Sequence, residues 1–385
     1  MPPPQDRGVP GWRIGQVRGV PVYIGRTWPI IAIFIVVVFG PQVQSVLPQL
    51  SSNAAYIVAL GYVLLLLLSV LVHEASHALM GQWRGYRVRQ IVADLWGGHT
   101  AYDSADTTPL SSALVAIVGP LSNGLLALAG FVALQGLDSG VPRLLTQVFV
   151  WTNGFVAVFN LLPGLPLDGG YLVDSLVWRI SGSRATGLLV AGWCGRVVAA
   201  LVVFAAFSRA ILQGGSPDLY TIVWGVLIAG FLWVGAGGAI ARGASTKVIS
   251  RVTVRQLLTR VTFIPSGTQL SRLQGAGDLV VTDAAGEPWG FATAADRARV
   301  PASLGAGPPI DAVARRQPPG WVTQVNSVDE DCTDLIAAVQ ALDPPPEHLL
   351  VTLRDGTSLG VVRTADLGNA LQAAADPSSS AGQPR

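Results

Sequence analysis

The sequence predicts an α-helical polytopic membrane protein, with six transmembrane helices and short membrane-associated strands, followed by a C-terminal α/β domain. Three observations predict it. Half of the 385 residues are hydrophobic and only 12% are charged, where a soluble globular domain carries about 25% charged residues. The long apolar runs all fall before residue 241, and the rest has the composition of an ordinary soluble domain. The remainder also contains an internal repeat, which points to two copies of one α/β unit. A net charge of +2 gives no electrostatic case for nucleic-acid binding.

Residues 1–11 are Pro-rich and polar, and are expected to be disordered without forming a secretory leader. A spanning helix needs about 20 apolar residues, and the runs that qualify are 27–46, 54–80, 111–134, 145–162, 197–212 and 219–240. Arg196 is expected at the interfacial end of the fifth. Arg7, Arg13, Arg18, Arg26, Arg84, Arg87, Arg89, Arg179, Arg184, Arg196, Arg242, Lys247 and Arg251 fall on one side of this arrangement, and only Arg143 and Arg209 on the other. The basic side is the cytosolic side, so both termini are expected there. Residues 20–24 alternate as a short strand, and 88–102 read as a strand or hairpin reaching towards the membrane interior. Trp28, Trp151, Trp193 and Trp233 read as interfacial anchors.

The repeat pairs Leu279-Val-Val-Thr-Asp-Ala-Ala-Gly286 with Leu349-Leu-Val-Thr-Leu-Arg-Asp-Gly356 at an offset of 70, and the same offset pairs Asp296 with Asp366. Each copy reads as strand, Gly turn, strand, then a helix begun near the Asp. The expected domains are 12–245 in the membrane and 246–372 outside it, with copies at about 250–303 and 305–372 and a disordered tail at 373–385. His348, in the second copy, is expected at the surface.

The second apolar run carries one ionisable cluster, His73-Glu74-Ala-Ser-His77. Ionisable groups in lipid are costly and mark functional sites. Two His at i and i+4 share a helix face and can bind one metal ion, and the Glu beside them can take a proton from a bound water. Catalytic zinc usually has three protein ligands, so a third is needed. Asp168 is the best candidate, in the segment Asn160-Leu-Leu-Pro-Gly-Leu-Pro-Leu-Asp168, where Pro163, Gly164 and Pro166 break the fourth run. Its competing reading is a helix end with an Asx-type turn at the surface. Asn160 is placed to hydrogen-bond a developing oxyanion, or alternatively a neighbouring helix. His73 is eleven residues from Arg84, which puts the metal on the order of 10–15 Å below the basic surface. His99 follows Gly97-Gly98 and could contact substrate.

On His73-Glu74-x-x-His77 and on the segment from Asn160 to Asp168-Gly169, the chain resembles the site-2 proteases, intramembrane zinc metalloproteases. Gly119-Pro120-Leu-Ser-Asn123 and Gly19-Val-Pro21 also look like that family's pattern, and the likeness covers residues 12–240. The resemblance implies His73, His77 and Asp168 as ligands of one Zn2+ per chain and Glu74 as catalytic base. It also implies a single-pass membrane protein substrate, such as an anti-sigma factor, and a bacterial cell membrane. The C-terminal repeat resembles a tandem cystathionine-beta-synthase (CBS) pair. That likeness implies an adenine nucleotide held by Asp296 and Asp366, or a pair that only dimerises. The rival reading is a CBS-regulated transporter or channel, which would spread polar residues along a pore. A protease-like scaffold without activity would have no use for Glu74.

Overall fold

The computed structural model describes residues 11–94, 97–103, 107–212, 218–273, 275–300 and 307–376. The chain divides into two compact units, 1–244 and 245–385.

The first unit opens with a hairpin of β1 (Gly11–Val17) and β2 (Val20–Gly25). It turns through Arg18 and Gly19, both at positive φ, the geometry that matches the right-handed twist of paired strands. Gly11, expected in the disordered leader, is the first residue of β1. Then come α1 (Trp28–Val46) and α2 (Ser52–Trp83), the latter capped by Ser51, whose hydroxyl accepts from the Ala54 N–H. The hairpin expected at 88–102 is present as β3 (Arg87–Asp94) and β4 (Gly97–Asp103). β3 pairs in parallel with β2, so the sheet runs β1-β2-β3-β4. Val20, Val22 and Ile91 of this sheet pack on Ala78 of α2, with Leu71 and Ala75 beside them. The sheet therefore clamps the turn of α2 that carries the two histidines.

Next come α3 (Pro109–Leu134), α4 (Gly140–Asn160), α5 (Asp168–Ser181), α6 (Arg184–Leu212) and α7 (Leu219–Ile249). Among the described residues, five helices are long and apolar enough to cross a membrane: α1, α2, α3, α6 and α7. The expected fourth span is helical, as α4, but is not among them. Arg143, Thr146, Gln147, Thr152, Asn153 and Asn160 dilute its apolar surface. The expected fifth span starts earlier than residue 197, because α6 begins at Arg184. Arg196 therefore lies inside the helix, not at its end. Its guanidinium sits over the rings of Trp193 and Trp233, at 5.1 and 4.5 Å.

The second unit holds α8 (Val254–Leu257), β5 (Val261–Pro265), β6 (Asp278–Thr282), β7 (Pro288–Ala292) and α9 (Ala294–Ala298). The second half follows with β8 (Arg315–Arg316), β9 (Val322–Val325), α10 (Thr333–Ala341), β10 (His348–Leu353), β11 (Ser358–Arg363) and α11 (Thr364–Ala375). They form two sheets, β5-β6-β7-β8 and β11-β10-β9. The repeat persists down to register. Val280 faces Phe291 and Val281 faces Gly290, while Leu350 faces Val361 and Val351 faces Gly360, with the ladder irregularity at the same step in both. Val280, Phe291, Leu350 and Val361 meet with Trp321 in one cluster, so the copies pack through equivalent positions. α11 runs to Ala375, three residues into the tail expected from 373, and 377–385 lie outside the described residues, as do 1–10.

His348 is not at the surface. It is 2% exposed, its ring 4.2 Å from that of Phe291, and its Nδ1 has no hydrogen-bond partner. Burial holds its pKa below the ordinary value, so the folded state resists protonation that the unfolded chain accepts. Stability of this unit should therefore be full above about pH 6.5 and fall as pH drops below it. Replacing His348 by Phe should flatten that slope, as read by hydrogen exchange at β10 between pH 5 and 7.

Candidate metal centre and active site

The site is built on a one-directional hydrogen-bond chain through three helices. The carbonyls of Phe149 and Leu65 can only accept. Asn153 of α4 therefore turns its Nδ2 to Phe149 O (2.9 Å) and donates to Ser69 Oγ (3.0 Å), while Ser69 donates to Leu65 O (2.9 Å). Its Oδ1 then accepts from Asn123 Nδ2 of α3 at 2.7 Å. Asn123 is left presenting Oδ1 to His73 Nδ1, which must be the protonated nitrogen. His77 Nδ1 donates in the same way to Val115 O at 2.6 Å.

Both Nε2 atoms are thus lone pairs, and they converge. They lie 3.0 Å apart, and Asp168 Oδ2 is 3.1 Å from one and 3.5 Å from the other. As neutral imidazoles with their Nδ1 protons committed elsewhere, the two histidines offer no hydrogen between these three acceptors, and Asp168 Oδ2 is buried without another donor. Three lone pairs at that spacing repel unless a cation sits among them. A tetrahedral zinc with bonds of 2.0–2.1 Å needs ligand atoms about 3.3 Å apart, and the N, N, O donor set is one that zinc accepts. The residues fit the ion.

Asp168 reaches the histidines because the chain between α4 and α5 is pinned. Leu165 N–H donates to Ala191 O of α6 (3.1 Å), and Leu165 and Leu167 are buried. Gly164 lies so close to the Gly195 backbone that a Cβ on either would overlap the other segment. The break at Pro163–Pro166 is thus a tightly packed loop, and Asp168 opens α5 among buried groups, not at a surface turn. Gly119 of α3 is the other close approach, since a Cβ there would overlap His77 Nε2.

Of the residues singled out from sequence, His73, His77 and Asp168 come together, and Glu74 is buried beside them at 5% exposed. Asn160 is the half-buried last residue of α4. His99 lies on β4 opposite Val92. In the second unit, the Asp296 carboxylate is already engaged. It accepts from Thr293 Oγ1 (2.7 Å) and from Arg315 (2.8 Å), as the N3 acid of a capping box whose N-cap is Thr293 of α9. Asp366 is more exposed and accepts from Arg363 Nε at 2.8 Å. Sequence reasoning missed Asn153 and Ser69 and gave Asn123 no role. Their signal was there, as polar residues within apolar helices.

Two imidazoles and a carboxylate buried among apolar helices, with a glutamate next to the first imidazole, form a donor set of the kind that zinc hydrolases use. Residues 137–205 match the family described as Peptidase family M50. The zinc metalloprotease named sll0528, of Synechocystis sp., is 28% identical over 94% of this chain and 96% of its own length. The zinc metalloprotease named Rip3, of Mycobacterium tuberculosis, is 32% identical over 53% of this chain and 52% of its own. The solved site-2 protease of Methanocaldococcus jannaschii aligns over 60% of this chain and 94% of its own, at 18% identity and a TM-score of 0.42. The chain is thus similar to zinc metalloproteases over most of its length and to Peptidase family M50 over residues 137–205, and is a zinc metalloendopeptidase.

Gly119→Ala should abolish metal retention, measured as zinc per chain after dialysis, because the added methyl takes the space of His77 Nε2. Asn123→Ala frees the His73 ring and should weaken zinc affinity about 10–100-fold, by competition with a chelator. Asp296→Ala should lower the stability of the second unit by about 1–2 kcal/mol through loss of the N3 half of the α9 capping box and of the Arg315 hydrogen bond, measured by denaturant unfolding.

Proposed function

We propose that His73, His77 and Asp168 hold one zinc ion, and that this centre hydrolyses a peptide bond in or near the transmembrane segment of a single-pass membrane protein. The convergence of His73 Nε2, His77 Nε2 and Asp168 Oδ2 at one buried point carries this reading. Bound zinc would supply a water of lowered pKa, about 7, and polarise the scissile carbonyl. Glu74 takes the proton of the attacking water and returns it to the leaving amine. Asn160, at the mouth of the α4–α5 loop, donates its amide N–H to the oxygen on which charge develops. The buried surroundings of Glu74 exclude bulk water from the reacting bond. An intact substrate helix shields its carbonyls, so the substrate segment must unwind locally to reach these groups.

The distribution of Lys and Arg supports both termini on the cytosolic side of a bacterial cell membrane, with α4 as a sixth, more polar span. Regulated proteolysis of an anti-sigma factor suits that topology. The register-true repeat supports a tandem CBS pair in the second unit, serving as a dimerisation or nucleotide-binding module. Asp366, held by one arginine, is better placed for an adenine nucleotide than the fully engaged Asp296. A transporter is disfavoured, because Ser69, His73, Glu74, His77, Asn123 and Asn153, most of the buried polar residues described in the first unit, gather at one centre.

Metal analysis tests the ligand set. About one zinc per chain is expected in the parent protein, with loss in both His73→Ala and Asp168→Ala. Full zinc in Asp168→Ala would remove that ligand. Glu74→Gln should keep the zinc while cleavage of a membrane-embedded reporter falls by about 10²–10⁴-fold.

A further inference from the structure

We propose that Arg196 and Arg242 form a binding site for the phosphate group of an anionic membrane phospholipid, on the outer surface of α6 and α7. Arg196 lies within a helix that is apolar enough to span, where an uncompensated charge is costly and marks a function. Its guanidinium lies over the rings of Trp193 and Trp233, which are 57% and 50% exposed, so this cluster opens outwards and not into the helix bundle. Aromatic faces attract the charge but accept hydrogen bonds poorly, and Arg196 Nε is buried with no hydrogen-bond partner.

The two guanidinium groups approach the same turn of α7. Arg196 Nη2 lies 3.8 Å from where a Cβ of Gly237 would stand, and Arg242 Nη1 3.6 Å from that of Gly238. Among the described residues, neither arginine makes an ion pair or donates a hydrogen bond to the protein. Two like charges that approach adjacent residues of one helix with unused donors call for an anion with several acceptor oxygens, and a phosphodiester has that chemistry. Because the patch faces the surroundings of two spanning helices, the occupant arrives laterally from the bilayer. Basic pockets between such helices bind lipid headgroups.

The test is native mass spectrometry of the full-length protein, released from vesicles of equal parts phosphatidylglycerol and phosphatidylcholine. Wild type should retain phosphatidylglycerol in several-fold preference, and Arg196→Gln and Arg242→Gln should each lose that preference. Arg242 is exposed, so its variant decides the matter should Arg196→Gln fail to fold. Adding inorganic phosphate should not displace the lipid. Unchanged phosphatidylglycerol retention in Arg242→Gln would overturn the proposal, as would equal retention of both lipids or displacement by inorganic phosphate.

Discussion

The centre depends on the direction of one hydrogen-bond chain. A backbone carbonyl, Phe149 O, decides which way the Asn153 amide faces. That choice passes through Asn123 and ends by placing the proton of His73 on Nδ1. Reversing either amide would point a donor at a donor somewhere along the chain, with a buried polar group left unsatisfied. The ring orientation and the free Nε2 lone pair are therefore settled by groups on α2, α3 and α4 that never touch the metal position. The same chain accounts for the polarity of α4, since a fully apolar helix there could not orient His73.

The third donor is held by different physics. Asp168 is delivered by shape, through a loop that approaches α6 more closely than any side chain would permit. The small residues at 164 and 195 and the buried Leu165 convert a helix break into a rigid bracket. Polar bonding thus orients the histidines, while steric fit orients the carboxylate.

Much of this was legible in the sequence, for reasons that separate by distance along the chain. The HExxH turn, the Pro-Gly break before Asp168 and the repeat are local patterns, and the offset of 70 carries over to the strand registers. What escaped was long-range. Asn153 finds its partners 30 and 84 residues away, and His77 uses a backbone carbonyl, a group every residue has. His348 is covered by Phe291, from the other copy of the repeat, and nothing near His348 announces it. Arg196 read as a helix border because charge usually is one, whereas the faces of two tryptophans keep it inside.

The separation of the donors along the chain has a consequence for biogenesis. The two histidines and Glu74 lie in α2, and Asp168 follows His77 by 91 residues. Synthesis runs from the N-terminus, so α2 reaches the bilayer with its imidazoles and carboxyl before Asn123, Asn153 or Asp168 has been made. Those groups remain unsatisfied in an apolar medium until α3, α4 and the bracket arrive. A stalled or misthreaded chain would keep them so, presenting a polar flaw in the plane of the membrane. The catalytic centre is thereby its own checkpoint for completed insertion.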